Sequence, residues 1–522
     1  MKRTWVFVSL ATLSACHCVR LEDYRVCDAT VDCSSTADAS IDDAGGPVND
    51  DGGVDGGACV PDGLVDQLDP LGLDTDCDGV DGVKGRQLYV DRDQGNDSRA
   101  LPGDPLQPFA TLTAALNFAA SADGGTWDAV LVTSGGYDEL GVVWRANVDL
   151  WGGRSGSGTW APTASMSNLR GGSVALVIQD VQGRTMRGFQ VRAGSGPPLS
   201  IAVLVENASP RFVDVQLYGG AGGAGATGDL EPLADAGPGN AGFAGVASGF
   251  TFNPGPPGVC GGEAAYAGGA AAKNSGAFGS RGEGPDGGAP GGPPLGCTMP
   301  SVQAERGSDG DAGADGAPGT PAMAFGSLAP PNEKLEWLSA NGAAGSFGTS
   351  GLPGQGGGGG GAPVLTLSDS SSGGSGGSGG CPGARGLGGS TGGPTFGLVV
   401  RGGRPFLGAD TFVLAGAGGV GGQGGPSGAG LPGGAGGAAG PPPALPECTL
   451  FVYGSGAPGG AGGRGGHGGR GGGGAGGHSV AIYCDLDGGF ELDGGSLMTG
   501  PAGSGSDGAR DGVSIPTRGC AL

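Results

Sequence analysis

The chain has 522 residues, of which 127 are Gly and 38 are Pro. Ordinary usage is about 7% and 5%, so much of the chain cannot form a conventional packed core. The formal charge of −24, from 26 Lys and Arg against 50 Asp and Glu, repels phosphate backbones and weighs against nucleic acid as a partner, while favouring solubility and divalent cations.

Lys2 and Arg3 form a short positive segment, followed by the apolar run Thr4 to Leu13. That run is too short to span a bilayer, which takes about 20 residues, and reads as the core of a signal peptide. It ends in Leu13-Ser14-Ala15-Cys16, which resembles the lipoprotein box of bacteria. The resemblance implies cleavage after residue 15, lipidation of Cys16 with palmitate among the acyl chains, and anchoring in the cell envelope. Each buried methylene of such a chain contributes about 0.8 kcal/mol. His17, where an aspartate would retain a lipoprotein at the inner membrane, favours the outer membrane of a Gram-negative bacterium. Removing Lys2 and Arg3 takes the formal charge from −24 to −26.

The 12 cysteines suit an oxidising compartment. With Cys16 lipidated, the early set is Cys18, Cys27, Cys33, Cys59 and Cys77, and the late set is Cys260, Cys297, Cys381, Cys448, Cys484 and Cys520. The late set suffices for three disulfides and the early set leaves one thiol over. No CxxC spacing points to zinc, so these residues read as staples of undetermined connectivity.

Residues 16–58 read as a disordered acidic tether, since 34–58 carry almost no large apolar side chains to offset the entropy of ordering. Within 59–86 lies Asp74-Thr-Asp76-Cys-Asp78-Gly79-Val-Asp81. Alternate carboxylates before a turn-forming Gly suit an oxygen-loving cation, which makes Asp74, Asp76, Asp78 and Asp81 candidate ligands for a structural Ca²⁺. The pattern resembles the calcium loops of thrombospondin type 3 repeats and EF-hands, but Gly85 stands where an EF-hand has its bidentate Glu. An acidic solvated turn closed by a Cys59–Cys77 disulfide is the other open reading.

From residue 87 the character changes. Leu88 to Val90 reads as a strand, Phe109, Leu112, Leu116 and Ala119 fall on one face of a helix, and Ala129 to Thr133 and Val148 to Trp151 read as strands. The ordered elements "YVDRDQGNDS", "PFATLTAAL", "DAVLVTSGGYDE" and "VDLWGG" resemble the first coil and capping helix of pectate-lyase-like parallel β-helices of bacterial surface proteins. The resemblance implies an all-β fold: a short right-handed parallel β-helix with an N-terminal capping helix.

Internal repetition agrees with it. Segments 175–196, 202–223, 397–419 and 480–503 share an apolar run, a polar or Gly/Pro turn, a second strand and then glycine. Val203, Val205, Phe212, Val215 and Leu217 are expected inside one coil. The domain reading is thus coils over 87–218, a glycine-rich insert 219–394, a coil over 395–415, a second insert 416–477 and a last coil and tail over 478–522. The inserts leave after Tyr218, Ala415 and Thr499, the same place in successive repeats, so they should emerge side by side.

Within 459–477 the register Gly-Gly-Ala461, Gly-Gly-Arg464, Gly-Gly-His467, Gly-Gly-Arg470 has a period of three. The longest collagen-like run, 307–321, stops after five triplets, too short for a triple helix. Two Arg and one His make a poor RGG segment. Two readings remain open: hydrated mobile coils, or polyglycine II helices of about three residues per turn packed side by side.

No catalytic constellation is apparent. The acidic residues of the coils, Asp180, Glu206, Asp214, Asp410 and Asp485, are scattered in sequence. Enzyme activity is therefore not expected. The expectation is a surface-anchored structural or adhesive lipoprotein, held to the membrane by its lipid and presenting glycine-rich segments to another cell surface or to extracellular polysaccharide. A polysaccharide-binding or polysaccharide-degrading protein is the alternative.

Overall fold

The computed structural model describes residues 66–77, 81–121, 126–156, 158–231, 237–246, 255–260, 263–265, 267–270, 280–282, 288–290, 373–441, 457–485 and 487–520, together with two two-residue strands, Arg20–Leu21 and Tyr24–Arg25. Cys16, Cys18, Cys27, Cys33, Cys59, Asp78, Cys297, Cys448 and the segment 307–321 lie outside these residues.

Among the described residues the regular elements are almost all strands. One helix, Leu112–Ala119, faces the core through Leu112, Ala115 and Leu116. Its N-terminus is held by Thr111, whose side chain accepts from the Ala114 N–H, and by Glu139, which accepts from Leu112 and Thr113 at 2.7 and 2.9 Å. These contacts satisfy amides that have no partner inside the helix.

Two sheets carry the architecture, one of eleven strands and one of six, and every pairing within them is parallel. From Val174 onward the chain alternates between them. Val174–Gln179, Ser200–Glu206, Thr395–Arg401, Ser479–Cys484 and Ser514–Arg518 stack in the smaller sheet. Gln182–Arg192, Ser209–Tyr218, Phe412–Ala415 and Ser496–Thr499 stack in the larger.

Because strand side chains alternate between faces, the stacking lines up apolar columns. Leu176, Val203, Leu398 and Ile482 lie in register, as do Met186 with Phe212 and Phe189 with Val215. Both sheets contribute to one core, in which Val203, Val205, Phe212, Val215 and Leu217 are fully buried. The other face of the smaller sheet also buries apolar residues, including Leu204, Phe396 and Tyr483. This is why its strands are continuous apolar runs and not alternating ones.

The glycine-rich segments continue this stack. Strands of the larger sheet end at Tyr218, Ala415 and Thr499, and strands of the smaller sheet begin at Thr395, Ser479 and Ser514. Each intervening segment therefore runs out from one sheet and returns to the other. Hydrogen bonding along the legs has a period of three. Eight N–H groups, every third residue from Gly374 to Thr395, donate to carbonyls 83 residues further on, from Ala457 to His478, at 2.8–3.0 Å. The two return legs are thus parallel.

The outgoing legs pair in the same way, as with Gly222 to Ala417, Gly225 to Val420 and Gly228 to Gln423 at 2.7–2.9 Å. Outgoing and returning legs are antiparallel. Seven N–H groups from Gly419 to Gly437 donate to carbonyls running back from Gly393 to Ser375, and seven from Gly459 to Gly477 donate to carbonyls from Gly437 back to Gly419.

Two disulfides join cysteines that both lie among the described residues, Cys260–Cys381 and Cys484–Cys520. The first ties residue 260 to the central return leg, and the second ties the tail to the smaller sheet. Cys77 is also disulfide-bonded.

Candidate functional site

The period of three separates backbone-facing from solvent-facing positions. In the second return leg, Gly465, Gly466, Gly468 and Gly469 are buried while Arg464, His467 and Arg470 are exposed. At Gly468 an added Cβ would lie 1.8 Å from the carbonyl oxygen of Ala384, so this close approach of two backbones requires Gly. These exposed side chains recur at every third residue of the leg. Arg464 Nε donates to the Gly430 carbonyl at 2.9 Å, and Arg470 lies 3.7 Å from Asp507.

The facing outgoing leg presents a second row. Val420, Gln423, Pro426, Ala429, Pro432, Ala435 and Ala438 are all exposed, every third residue, with Gly between them except at Ser427 and Leu431. The sequence alone singled out the first row; the second follows the same period but, Gln423 apart, is carried by apolar residues, which gave no chemical signal.

The Asp-rich loop differs from the motif reading. Ligand atoms of Asp74 and Asp76 lie with one of Asp66 inside a group of three, all within 4.8 Å of one another. Asp66, which the motif did not include, is buried and already accepts from Thr75 Oγ1 at 2.7 Å and the Gly82 N–H at 2.6 Å. Asp81 does not join them. Its Oδ2 takes Arg154 Nη1 at 3.0 Å and its Oδ1 takes the Asp69 N–H at 3.1 Å. Arg154, buried beside Trp151, pins the loop to the larger sheet through this pair. Burial raises the Asp81 carboxyl above its ordinary range and lowers the Arg154 guanidinium, each opposed by the other's charge. Three carboxylates begin an oxygen-ligand set for a hard cation, short of the six to eight oxygens that Ca²⁺ takes.

Three of the acids scattered in sequence, Asp180, Glu206 and Asp485, prove to lie at one corner of the smaller sheet. Gln179, Glu206 and Arg401 are register neighbours at the ends of successive strands of the smaller sheet, and Asp485 follows the next strand. Gln179 Nε2 donates to Glu206 at 2.8 Å, Arg401 Nη1 donates to Glu206 at 3.0 Å, and Arg401 Nε is 4.0 Å from Asp485 Oδ2. With Asp180, Asn207, Gly402 and Asp487 they line a cavity of about 470 Å³. Asp180, Asn207 and Gly402 have φ of 58°, 50° and 77°, the left-handed conformation that Asn, Asp and Gly tolerate and that turns the chain from one sheet to the other. The signal was present in the repeats, as Gln-Asp, Glu-Asn and Arg-Gly follow equivalent apolar runs. Asp214 and Asp410 form a second such pair, and burial raises Asp214 while Arg187 opposes it.

No family model, no curated protein and no solved structure matches this chain. Among the described residues no helix is long and apolar enough to cross a membrane.

Proposed function

We propose that this chain is a surface-anchored structural or adhesive lipoprotein in which a short right-handed parallel β-helix, capped by the helix Leu112–Ala119, displays a polyglycine II bundle. The observation that carries this reading is continuity of register. Strand Thr395–Arg401 pairs with Ser479–Cys484 at an offset of 84 residues, and the return legs leading into them pair N–H to carbonyl at 83, the value expected for the same parallel register. Strands and glycine legs therefore make one stack. The bundle is a rigid extension whose outer rows carry side chains at a fixed repeat, which suits a surface that meets another surface.

In this reading Cys16 carries the lipid, the acidic stretch to residue 58 is the spacer, and Asp66, Asp74 and Asp76 hold a structural Ca²⁺ near the base. The partner is another cell surface or extracellular polysaccharide. The test is to express the full chain, a Cys16→Ala variant and a chain with 219–394 replaced by a short Gly-Asn turn in a Gram-negative host. Palmitate labelling lost in Cys16→Ala, surface exposure to added protease, and cell attachment lost on removing the insert are the expected outcomes. Attachment unchanged without the insert rules out the adhesive role, and absence of label rules out the anchor.

A further inference from the structure

The outgoing glycine legs bond along the stack in a single sense. In each leg one N–H points to the next leg, and the carbonyl of the residue before it points back to the previous one. Gly196 donates to the Ala221 carbonyl at 2.8 Å, Gly222 to Ala417 at 2.9 Å and Gly418 to Pro501 at 2.9 Å. A stack built this way ends in a row of backbone donors on one side and a row of acceptors on the other.

The tail covers only the base of the donor row. Gly418 and Gly421 donate to Pro501 and Ser504, and Gly424 donates to Asp507 Oδ2 at 2.8 Å. Further along in the same phase Gly430 is buried, while Ser427 is exposed and Gly433, Gly436 and Ala439 are partly exposed. The amides of these last four find no acceptor among the described residues. The acceptor row is left over in the same way. Beyond Ala221 its carbonyls belong to Ala224, Thr227, Pro238, Ala241 and Ala244, all of them exposed residues whose carbonyls accept no hydrogen bond among the described residues.

Both rows repeat every three residues, the period of one helix type. Such a row is the glycine counterpart of a sheet's edge strand, a template for another chain. The strand edge itself is blunted, since Pro516 removes a donor from Ser514–Arg518 at the end of the smaller sheet. The donor row is not: Pro426 and Pro432 each fall one place before a donor and leave the row intact.

The chain's own legs show what fits. Inside the bundle Gly239, Gly242 and Gly245 donate to Pro432, Ala435 and Ala438 at 2.7–2.9 Å, and the free carbonyls of Pro238, Ala241 and Ala244 repeat that Pro, Ala, Ala series. Charge selects the same surfaces. A chain of formal charge −24 resists meeting its copy, yet residues 411–446 and 237–246 contain no charged side chain. The sense of approach follows from the coils. Strands Val142–Trp144 and Val174–Gln179 lie beyond Ser200–Glu206 on the acceptor side, so a copy stacked in the same sense would set its coils against those of the first. Antiparallel legs keep them apart, and the bundle already contains that ladder in the seven bonds from Gly419–Gly437 back to Gly393–Ser375.

We propose that the two edges of the bundle join copies of this chain: the free amides between Ser427 and Ala439 of one copy donate to the free carbonyls between Ala224 and Ala244 of the next, with the legs antiparallel. The edges are different surfaces, so association does not close at two and gives linear assemblies. The inference rests on the bonding of the legs and not on the lipid anchor or the adhesive role.

The full chain carrying Cys16→Ala, so that no lipid drives association, is followed by sedimentation velocity over a range of concentrations. Its mean mass is expected to rise past that of a dimer. Ser427→Pro/Ala439→Pro removes two donors and sets a ring in the path of the incoming carbonyls, without adding a Cβ at any glycine. Ala241→Asp/Ala244→Asp places charge on the acceptor edge. Each double variant alone should associate at least about tenfold more weakly, the scale of two hydrogen bonds. An equimolar mixture of the two, in which each supplies one intact edge, should form dimers and nothing larger. Should either variant fail to fold, as judged by its melting curve, amide exchange of the parent chain decides: Gly433 and Gly436 should slow with concentration while Gly434, already bonded to Ser378, does not. A parent chain still monomeric at about 1 mM, the weak limit for so small a contact, overturns the proposal. Association unchanged in the folded variants, a mixture that stays monomeric, or exchange at Gly433 and Gly436 independent of concentration overturns it as well.

Discussion

The Gly380 N–H donates to the Gly463 carbonyl at 2.9 Å across a separation of 83 residues, and the same separation joins Thr395 to His478 at the edge of the smaller sheet. A glycine pair deep in the bundle and a pair at its junction with the strands thus obey one register. The sheet sets the rise between successive legs, and the legs need only keep their period to stay paired.

The bundle should tolerate change on one edge and none on the others. Gly468→Ala places a methyl 1.8 Å from the Ala384 oxygen and forces two legs apart. We expect destabilisation of about 1–3 kcal/mol, the scale of overpacking a tight interior. His467→Ala, one residue away on the exposed edge, should stay within about 0.5 kcal/mol. Urea midpoints of the two variants check this, and equal effects would count against close packing of the legs.

The Cys260–Cys381 disulfide closes a loop of 121 residues. Constraining so long a loop in the unfolded chain is worth about 2–4 kcal/mol. The double variant Cys260→Ser/Cys381→Ser should lose stability on that scale, with amide exchange rising first around residues 374–383. Uniform exchange rates in both proteins would show that the staple does not hold these legs.

Breaking the Asp81–Arg154 pair should be more damaging than any exposed ion pair, because both side chains are nearly inaccessible, at 3% and 1% exposure. Arg154→Met leaves Asp81 buried beside an apolar group and is expected to cost about 3–5 kcal/mol. Arg170→Met, whose 3.9 Å contact with Asp138 is mostly exposed, should fall within about 1 kcal/mol. Paired denaturation curves measure both.

His478 gives the fold an acid limit. Its Nδ1 accepts the Val513 N–H at 2.9 Å, so the neutral ring carries its proton on Nε2. Burial first, and the charge of Arg518 second, lower its pKa from 6.5 to about 4. A depressed folded pKa means that the stabilisation is complete above the unfolded value and is lost as pH falls from about 6.5 toward 4, where protonation destroys the acceptor. The shift corresponds to a few kcal/mol, on the order of 3. His478→Gln should flatten the stability profile across that window, and a profile as steep as the wild type would assign the acid sensitivity elsewhere.

Much of this molecule is written along the chain. Alternating apolar residues at 203, 205, 212, 215 and 217 give strands with a buried face, and the strand ends at Tyr218, Ala415 and Thr499 coincide with the entry of glycine. The Gly-Gly-X period around Arg464, His467 and Arg470 places their side chains on one edge, because a helix of about three residues per turn repeats its direction every third residue.

Local pattern did not decide partners. Whether Gly468 meets water or the Ala384 carbonyl depends on legs 40 and more residues away, and the stacking offset of the sheets fixes that meeting. Asp81 matched a calcium motif, yet Arg154, 73 residues distant, claimed it because a buried guanidinium requires a carboxylate. Asp180 and Glu206 are separated in sequence by one passage through both sheets, and Glu206 and Asp485 by the glycine-rich excursions, whereas in space all three sit at one corner of the stack. Periodicity determines which way a residue faces, and only the three-dimensional stack determines what it faces.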